Sequence, residues 1–124
     1  MTIYALSSGS GISGIAVIRV SGKSTAEIVK KITGAQLPTP RVATLTKFNK
    51  NGQKELIDEG VIIWFPAPNS YTGEDLAEFH VHGSRAVISA MHSAISKVKN
   101  CRLAEPGEFT KRAFQNGKIN LLKA

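Results

Sequence analysis

Hydrophobic positions along the chain follow two periodicities, and their order sketches strands with helices set between them. Ile3 to Leu6 has the length and composition of a first strand, and the run Ile15-Ala16-Val17-Ile18-Arg19-Val20 that of a second. Ser24-Thr25-Ala26-Glu27 matches a capping box, in which serine and glutamate satisfy free backbone donors at a helix start. Ile28, Val29 and Ile32 supply that helix with an apolar stripe, and Gly34 stops it. Leu37-Pro38-Thr39-Pro40 reads as an extended link, because each proline removes a donor and biases its predecessor away from helix. Val42 to Phe48 and Leu56 to Phe65 form the arms of a hairpin turning at Asn51-Gly52.

Pro66 to Gly73 is the longest irregular passage, of a kind that is often functional in a small domain. In the strand that follows, Leu76 to His82, period two sends Ala77, Phe79 and Val81 to one face and Glu78, His80 and His82 to the other. From Ser84 onward Val87, Ala90, Met91, Ala94, Ile95 and Val98 repeat at helical spacing and face a core, leaving His92 off the stripe and exposed. Arg102 to Ala104 reads as a short edge strand, and Glu108 to Phe114 as a helix broken at Asn116-Gly117. Residues 118–124 begin a new amphipathic pattern with no stop signal, which predicts the start of a helix leading into a longer protein.

Gly9, Gly11 and Gly14 fall in a G-x-G-x-x-G spacing, which invites a dinucleotide-binding reading. That fingerprint needs a helix opening at the last glycine, since the helix N-terminus holds the pyrophosphate. Here a β-branched run follows instead, and Glu27, the nearest later acidic candidate, falls inside a helix pattern rather than at a strand end. The glycines therefore read as a link between two strands.

With 124 residues the chain fits one domain, and its 42% hydrophobic content supports a packed core. No apolar stretch approaches the roughly 20 residues that span a bilayer, and the first residues lack the basic and apolar segments of a signal peptide, so no membrane is expected. The single cysteine, Cys101, excludes an internal disulfide and fits a reducing, cytoplasmic setting. A formal charge of +7 favours an anionic partner: RNA, a phosphate or a carboxylated cofactor. Aromatic residues make up only 6% and do not interleave with a basic segment, so an RNA-contacting basic module stays an alternative without its own signature.

Arg19 interrupts an apolar strand, where a guanidinium needs a carboxylate, a phosphate or a backbone acceptor unless its stem carries it to solvent. Glu78 poses the same question: it either pairs internally with Arg19 or offers two oxygens to a ligand with adjacent N–H groups. Glu78, His80 and His82 could also be metal ligands, but no convincing fourth ligand exists, Cys101 being isolated. A serine hydrolase lacks its G-x-S-x-G elbow.

Three longer stretches, "GIAVIRVSG", "DEGVIIWFPAPNSYTGEDLAEFHVHGS" and "AEPGEFTKRAFQNGKINLLKA", strongly resemble the N-terminal domain of the tRNA-modification GTPases called MnmE or TrmE. The resemblance implies an α+β fold, a mixed or antiparallel sheet with packed helices, similar to the folate-binding domain of glycine-cleavage aminomethyltransferase. It implies that residues 1–117 form a folate-binding and dimerisation domain, and that 118–124 lead towards helical and GTPase regions outside this sequence. In such proteins a tetrahydrofolate derivative, in the 5-formyl or methylene form, supplies a one-carbon unit for modifying the wobble uridine of tRNA. The homodimer works with an MnmG/GidA-type flavoprotein, and GTP, magnesium and potassium act in the GTPase domain. No G-x-x-x-x-G-K-[ST] loop occurs in this chain, so this segment alone is expected to be catalytically inactive.

By the family's pattern the folate-contacting positions fall on Arg19, Glu78 and Lys118. The chemistry is coherent: a carboxylate accepts a pterin's adjacent ring N–H and amino donors, and the cations suit carbonyl or carboxylate oxygens of the tail. Two departures stand out. The loop that commonly reads P-G-R-G-G is here Ser8-Gly9-Ser10-Gly11-Ile12-Ser13-Gly14, without its basic residue, and the usual H-G-G is His82-Gly83-Ser84, whose serine is an adequate helix cap.

Overall fold

The alternation along the chain resolves into a single mixed sheet. The computed structural model describes residues 1–7, 14–50, 52 and 55–119. In chain order these form β1 (Thr2–Leu6), β2 (Ile15–Ser21), α1 (Thr25–Thr33), β3 (Thr44–Asn49), β4 (Leu56–Phe65), β5 (Leu76–His82), α2 (Arg85–Ser96), β6 (Cys101–Leu103) and α3 (Glu108–Gln115). The six strands lie in the order β3-β4-β5-β2-β1-β6. Every neighbouring pair is antiparallel except β1 and β6, which run parallel. The architecture is α+β, as expected.

Register decides which side chains meet the helices. Ile18 lies opposite Phe79 and Val20 opposite Ala77, while Ile62 lies opposite Phe79 on the other side of β5. These residues share one core with Ile28, Val29 and Ile32 of α1 and Met91, Ala94 and Ile95 of α2. Both helices therefore cover the same sheet face. Each fully buried aliphatic side chain in that layer contributes about 1.5–3 kcal/mol relative to exposure. Gly34 ends α1 in the left-handed conformation, its N–H bonded to the Lys30 carbonyl. Ser84 starts α2 as read from the sequence, its hydroxyl accepting the Val87 N–H at 3.1 Å.

Among the described residues the opposite face is covered only in part. Helix α3 lies there, its Phe109 ring 5.9 Å from the guanidinium carbon of Arg19. Arg112 anchors this helix by donating to Glu74 at 3.1 Å and to the Met1 carbonyl at 2.6 Å. Further along the same face, Ile15 of β2 and Leu45 of β3 remain 61% and 70% exposed.

Several expectations are corrected. Ser24 and Glu27 form no capping box: Ser24 makes no side-chain cap, its N–H instead donates to Thr2 Oγ1 at 2.8 Å, and Glu27 pairs with Lys31 at 3.1 Å. Tertiary contact with β1 thus takes the role that local capping was expected to play. His92 is half-buried rather than exposed, its ring edge-on to Tyr4 with centroids 5.4 Å apart. Gly117 breaks α3 with φ of 73°, and Lys118 and Ile119 follow without helix. The rest of the predicted helix, residues 120–124, lies outside the described residues, as do Gly9 and Gly11.

Candidate functional site

Antiparallel pairing of β2 with β5 sets Arg19 directly opposite Glu78 on the sheet face away from α1 and α2. Arg19 Nη2 donates to Glu78 Oε2 at 2.8 Å, and His80 Nε2 lies 3.1 Å from Oε1. The internal ion pair is therefore formed. It does not exhaust the carboxylate. Two oxygens offer about four acceptor positions, and these contacts use one on each oxygen, leaving acceptor capacity on both.

Burial pushes the Glu78 carboxyl upward, but the hydrogen bonds and charges of Arg19 and His80 outweigh it and hold the group below its ordinary value. Glu78 is thus an ionised acceptor at neutral pH. Arg19 is fixed from both sides, its guanidinium 5.6 Å from the Tyr71 ring and 5.9 Å from that of Phe109. Its Nε is buried with no hydrogen-bond partner among the described residues.

Beside Glu78 opens a cavity of about 670 Å³, walled by Phe65, Tyr71 and Leu76, with Arg41 and Lys118 also lining it. Arg19 faces an adjoining cavity of about 390 Å³ lined in part by Ser7, Phe109 and Thr110, and Tyr71 borders both. The structure thus places Glu78 and Lys118 on one cavity, with Arg19 reaching it through its bond to Glu78.

The irregular passage after β4 forms much of this wall, and it is extensively bonded. Ala67 N donates to Asp75 Oδ1 at 2.8 Å, and the buried Thr72 hydroxyl lies 2.6 Å from that of Ser21. Asn116 Nδ2 donates to the Thr72 carbonyl at 2.8 Å. Gly73, with φ of 80°, brings the loop close to the segment after α3: a Cβ there would meet Asn116 at 3.0 Å and Lys118 Cγ at 3.4 Å. The Lys118 N–H is in turn held by the Ala113 carbonyl at 2.8 Å. An exposed lysine is in this way brought to a cavity edge by backbone contacts on both sides.

Arg41, Phe65 and Tyr71 line the cavity but were not singled out from the sequence. Arg41 falls between the link Leu37 to Pro40 and the hairpin arm from Val42, and Phe65 reads as the end of the other arm. The one available signal was the pair of aromatic residues flanking Pro66 to Ser70.

The histidine face does not assemble as a metal site. His80 is turned to Glu78, whereas the His82 Nδ1 lies 2.8 Å from Asp58, whose carboxylate also accepts the His82 N–H at 2.8 Å. Among the described residues no group of three or more His, Cys, Asp or Glu side chains is placed to hold a metal ion. Nor, among them, is any helix long and apolar enough to cross a membrane.

An α+β domain with an open cavity on one sheet face, an ionised carboxylate in it and cations beside it, is the class this architecture defines. The family described as GTP-binding protein TrmE N-terminus matches residues 2–118, and the chain belongs to that family. It is 72% identical over all 124 of its residues to the tRNA modification GTPase MnmE of Pelagibacter ubique, covering 28% of that protein. Over 120 residues, 97% of the chain, it is 52% identical to the mitochondrial 5-taurinomethyluridine-[tRNA] synthase subunit GTPB3 of Danio rerio, covering 24% of it. The MnmE of Rhodopseudomonas palustris is 50% identical over 123 residues, 99% of the chain and 27% of that protein. The chain thus spans about a quarter of the length of these curated relatives.

Proposed function

We propose that this chain is a folate-binding, homodimerising domain of a GTPase that modifies the wobble uridine of tRNA to the 5-carboxymethylaminomethyl type. The observation that carries the reading is the Glu78 carboxylate, held ionised by Arg19 and His80 and bordering a cavity of about 670 Å³ with Lys118 on its lining. A reduced pterin presents adjacent N–H donors, which match the remaining acceptor capacity of Glu78. Arg19 locks the carboxylate in place, and Lys118 supplies positive charge for oxygens of the remainder of the molecule. The volume falls within the roughly 300–1,000 Å³ of small-molecule sites. In this reading the fold is similar to the folate-binding domain of glycine-cleavage aminomethyltransferase.

The homodimer is carried over from the family resemblance, with Ile15 and Leu45 as exposed apolar side chains on the same sheet face. A tetrahydrofolate derivative, 5-formyl or methylene, is the one-carbon donor in the intact protein. GTP with magnesium and potassium, an MnmG/GidA-type flavoprotein and tRNA belong to that larger assembly in the cytoplasm.

Calorimetric titration of the protein with 5-formyltetrahydrofolate tests the site. Wild type is expected to bind and Glu78→Ala to lose most of the heat, while sedimentation reports a dimer. A flat titration with well-folded wild-type dimer rejects the site. Salt-sensitive tRNA binding with no folate effect favours the basic-module alternative instead.

A further inference from the structure

Building on the folate reading, we propose that Arg41 is the residue that receives the anionic tail of the ligand, and that it sets specificity for a carboxylate-bearing pterin over a bare one. Arg41 adopts φ of 66°, in the left-handed region that a long side chain avoids. Three contacts hold it there. Its N–H donates to the Trp64 carbonyl at 2.7 Å, its Nη1 to the Asn69 carbonyl at 2.8 Å, and its guanidinium carbon lies 5.4 Å from the Phe65 ring centroid. Glycine would adopt this backbone without strain, so a link alone does not call for arginine. What arginine adds is a planar fork of donors at the cavity.

Only Nη1 of that fork has a hydrogen-bond partner among the described residues, and the residue is exposed. Its remaining donors suit the paired oxygens of a carboxylate, which a guanidinium binds in two-point fashion and an ammonium does not.

Position along the sheet gives the ligand a direction. Glu78 pairs with Ile63, and Phe65, which carries the guanidinium, stands two residues further along β4. That step is about 7 Å along the strand and one strand spacing of about 5 Å across. A flat head bonded to Glu78 therefore extends past the rings of Phe65 and Tyr71 before it reaches Arg41. Donor head, aromatic spacer and terminal carboxylate is the layout of a reduced folate.

The test compares 5-formyltetrahydrofolate with the same compound esterified at its glutamate carboxylates, titrated into wild type, Arg41→Met and Arg41→Gly. Esterification is expected to weaken wild-type binding about tenfold or more, while both variants lose most of this discrimination, retaining only the smaller part that Lys118 supplies. Arg41→Gly relieves the backbone strain, so a folding defect in Arg41→Met alone leaves this comparison intact. If esterification weakens variants and wild type by the same factor, Arg41 does not meet the tail and the inference is overturned. If wild type binds neither compound, the folate reading itself fails, an outcome distinct from loss of discrimination by the variants.

Discussion

Replacing Gly60 by alanine sets backbone propensity against packing, and the two predict opposite signs. Inside a strand, alanine is favoured over glycine by about 0.5–1 kcal/mol through the entropy of the unfolded chain. In the folded protein, however, a Cβ at position 60 would lie 2.0 Å from the His80 carbonyl oxygen and 3.1 Å from Phe48 Cε2. Neither neighbour can yield cheaply. The first is the backbone of the central strand β5, and the second is a fully buried ring packed edge-on against Phe79 at 5.3 Å. Relieving the clash means parting β4 from β5 by about 1 Å, which stretches a ladder hydrogen bond beyond useful length. Loss of one such bond costs about 1 kcal/mol and the overpacking about 1–3 kcal/mol, which less the propensity gain leaves a net destabilisation of about 1–3 kcal/mol. Guanidinium denaturation followed by Trp64, the single tryptophan, which lies on β4, reads this directly. The expected result is a clear fall in midpoint together with weaker folate binding, because the displaced carbonyl belongs to His80, the partner of Glu78. A midpoint equal to or above wild type would refute the reasoning.

Two further expectations concern pH. Burial holds the half-buried His92 below its ordinary value, and its Nε2 has no partner among the described residues, so the unfolded chain takes up this proton first. Stability is therefore complete above pH 6.5 and falls as pH drops below it; His92→Leu should flatten urea midpoints between pH 7 and pH 5, and an unchanged slope would remove His92 as the cause. Glu108 is lowered from 4.5 to about 2 by its hydrogen bond to Arg102 at 2.6 Å, against a smaller opposing effect of burial. Its contribution is present above pH 4.5 and lost as pH falls towards about 2, so Glu108→Gln should lower the midpoint at neutral pH and match wild type near pH 2.

The strands were legible because they carry their own signals. Leu76 to His82 alternates cleanly, and that alternation placed Glu78 and His80 on one face with no knowledge of the neighbouring strand. Arg19 and Glu78 stood out as charges in strands, but their direct opposition follows from the register between β2 and β5, which a one-residue slip would destroy. Ser24 misled because its local pattern suggests a cap, whereas Thr2, 22 residues earlier, supplies the acceptor. His92 misled because helical spacing describes the face turned to the sheet and says nothing of β1, where Tyr4 approaches from the side. Arg41 and Tyr71 were silent for a related reason. They stand in irregular segments, and the positions carried over from the family resemblance include Lys118 but neither of them.

The parallel pairing of Thr2 with Cys101 also bears on how the domain is made during translation. The first strand leaves the ribosome with one edge unpaired, and its parallel neighbour is synthesised almost a hundred residues later. Lys118 and Asn116, which meet the loop at Gly73 and Thr72, arrive later still. A nascent chain halted before these residues has its carboxylate but not its finished cavity. The cavity thus belongs to the completed domain, and any ligand that occupied it would stabilise the last contacts to form, not the first.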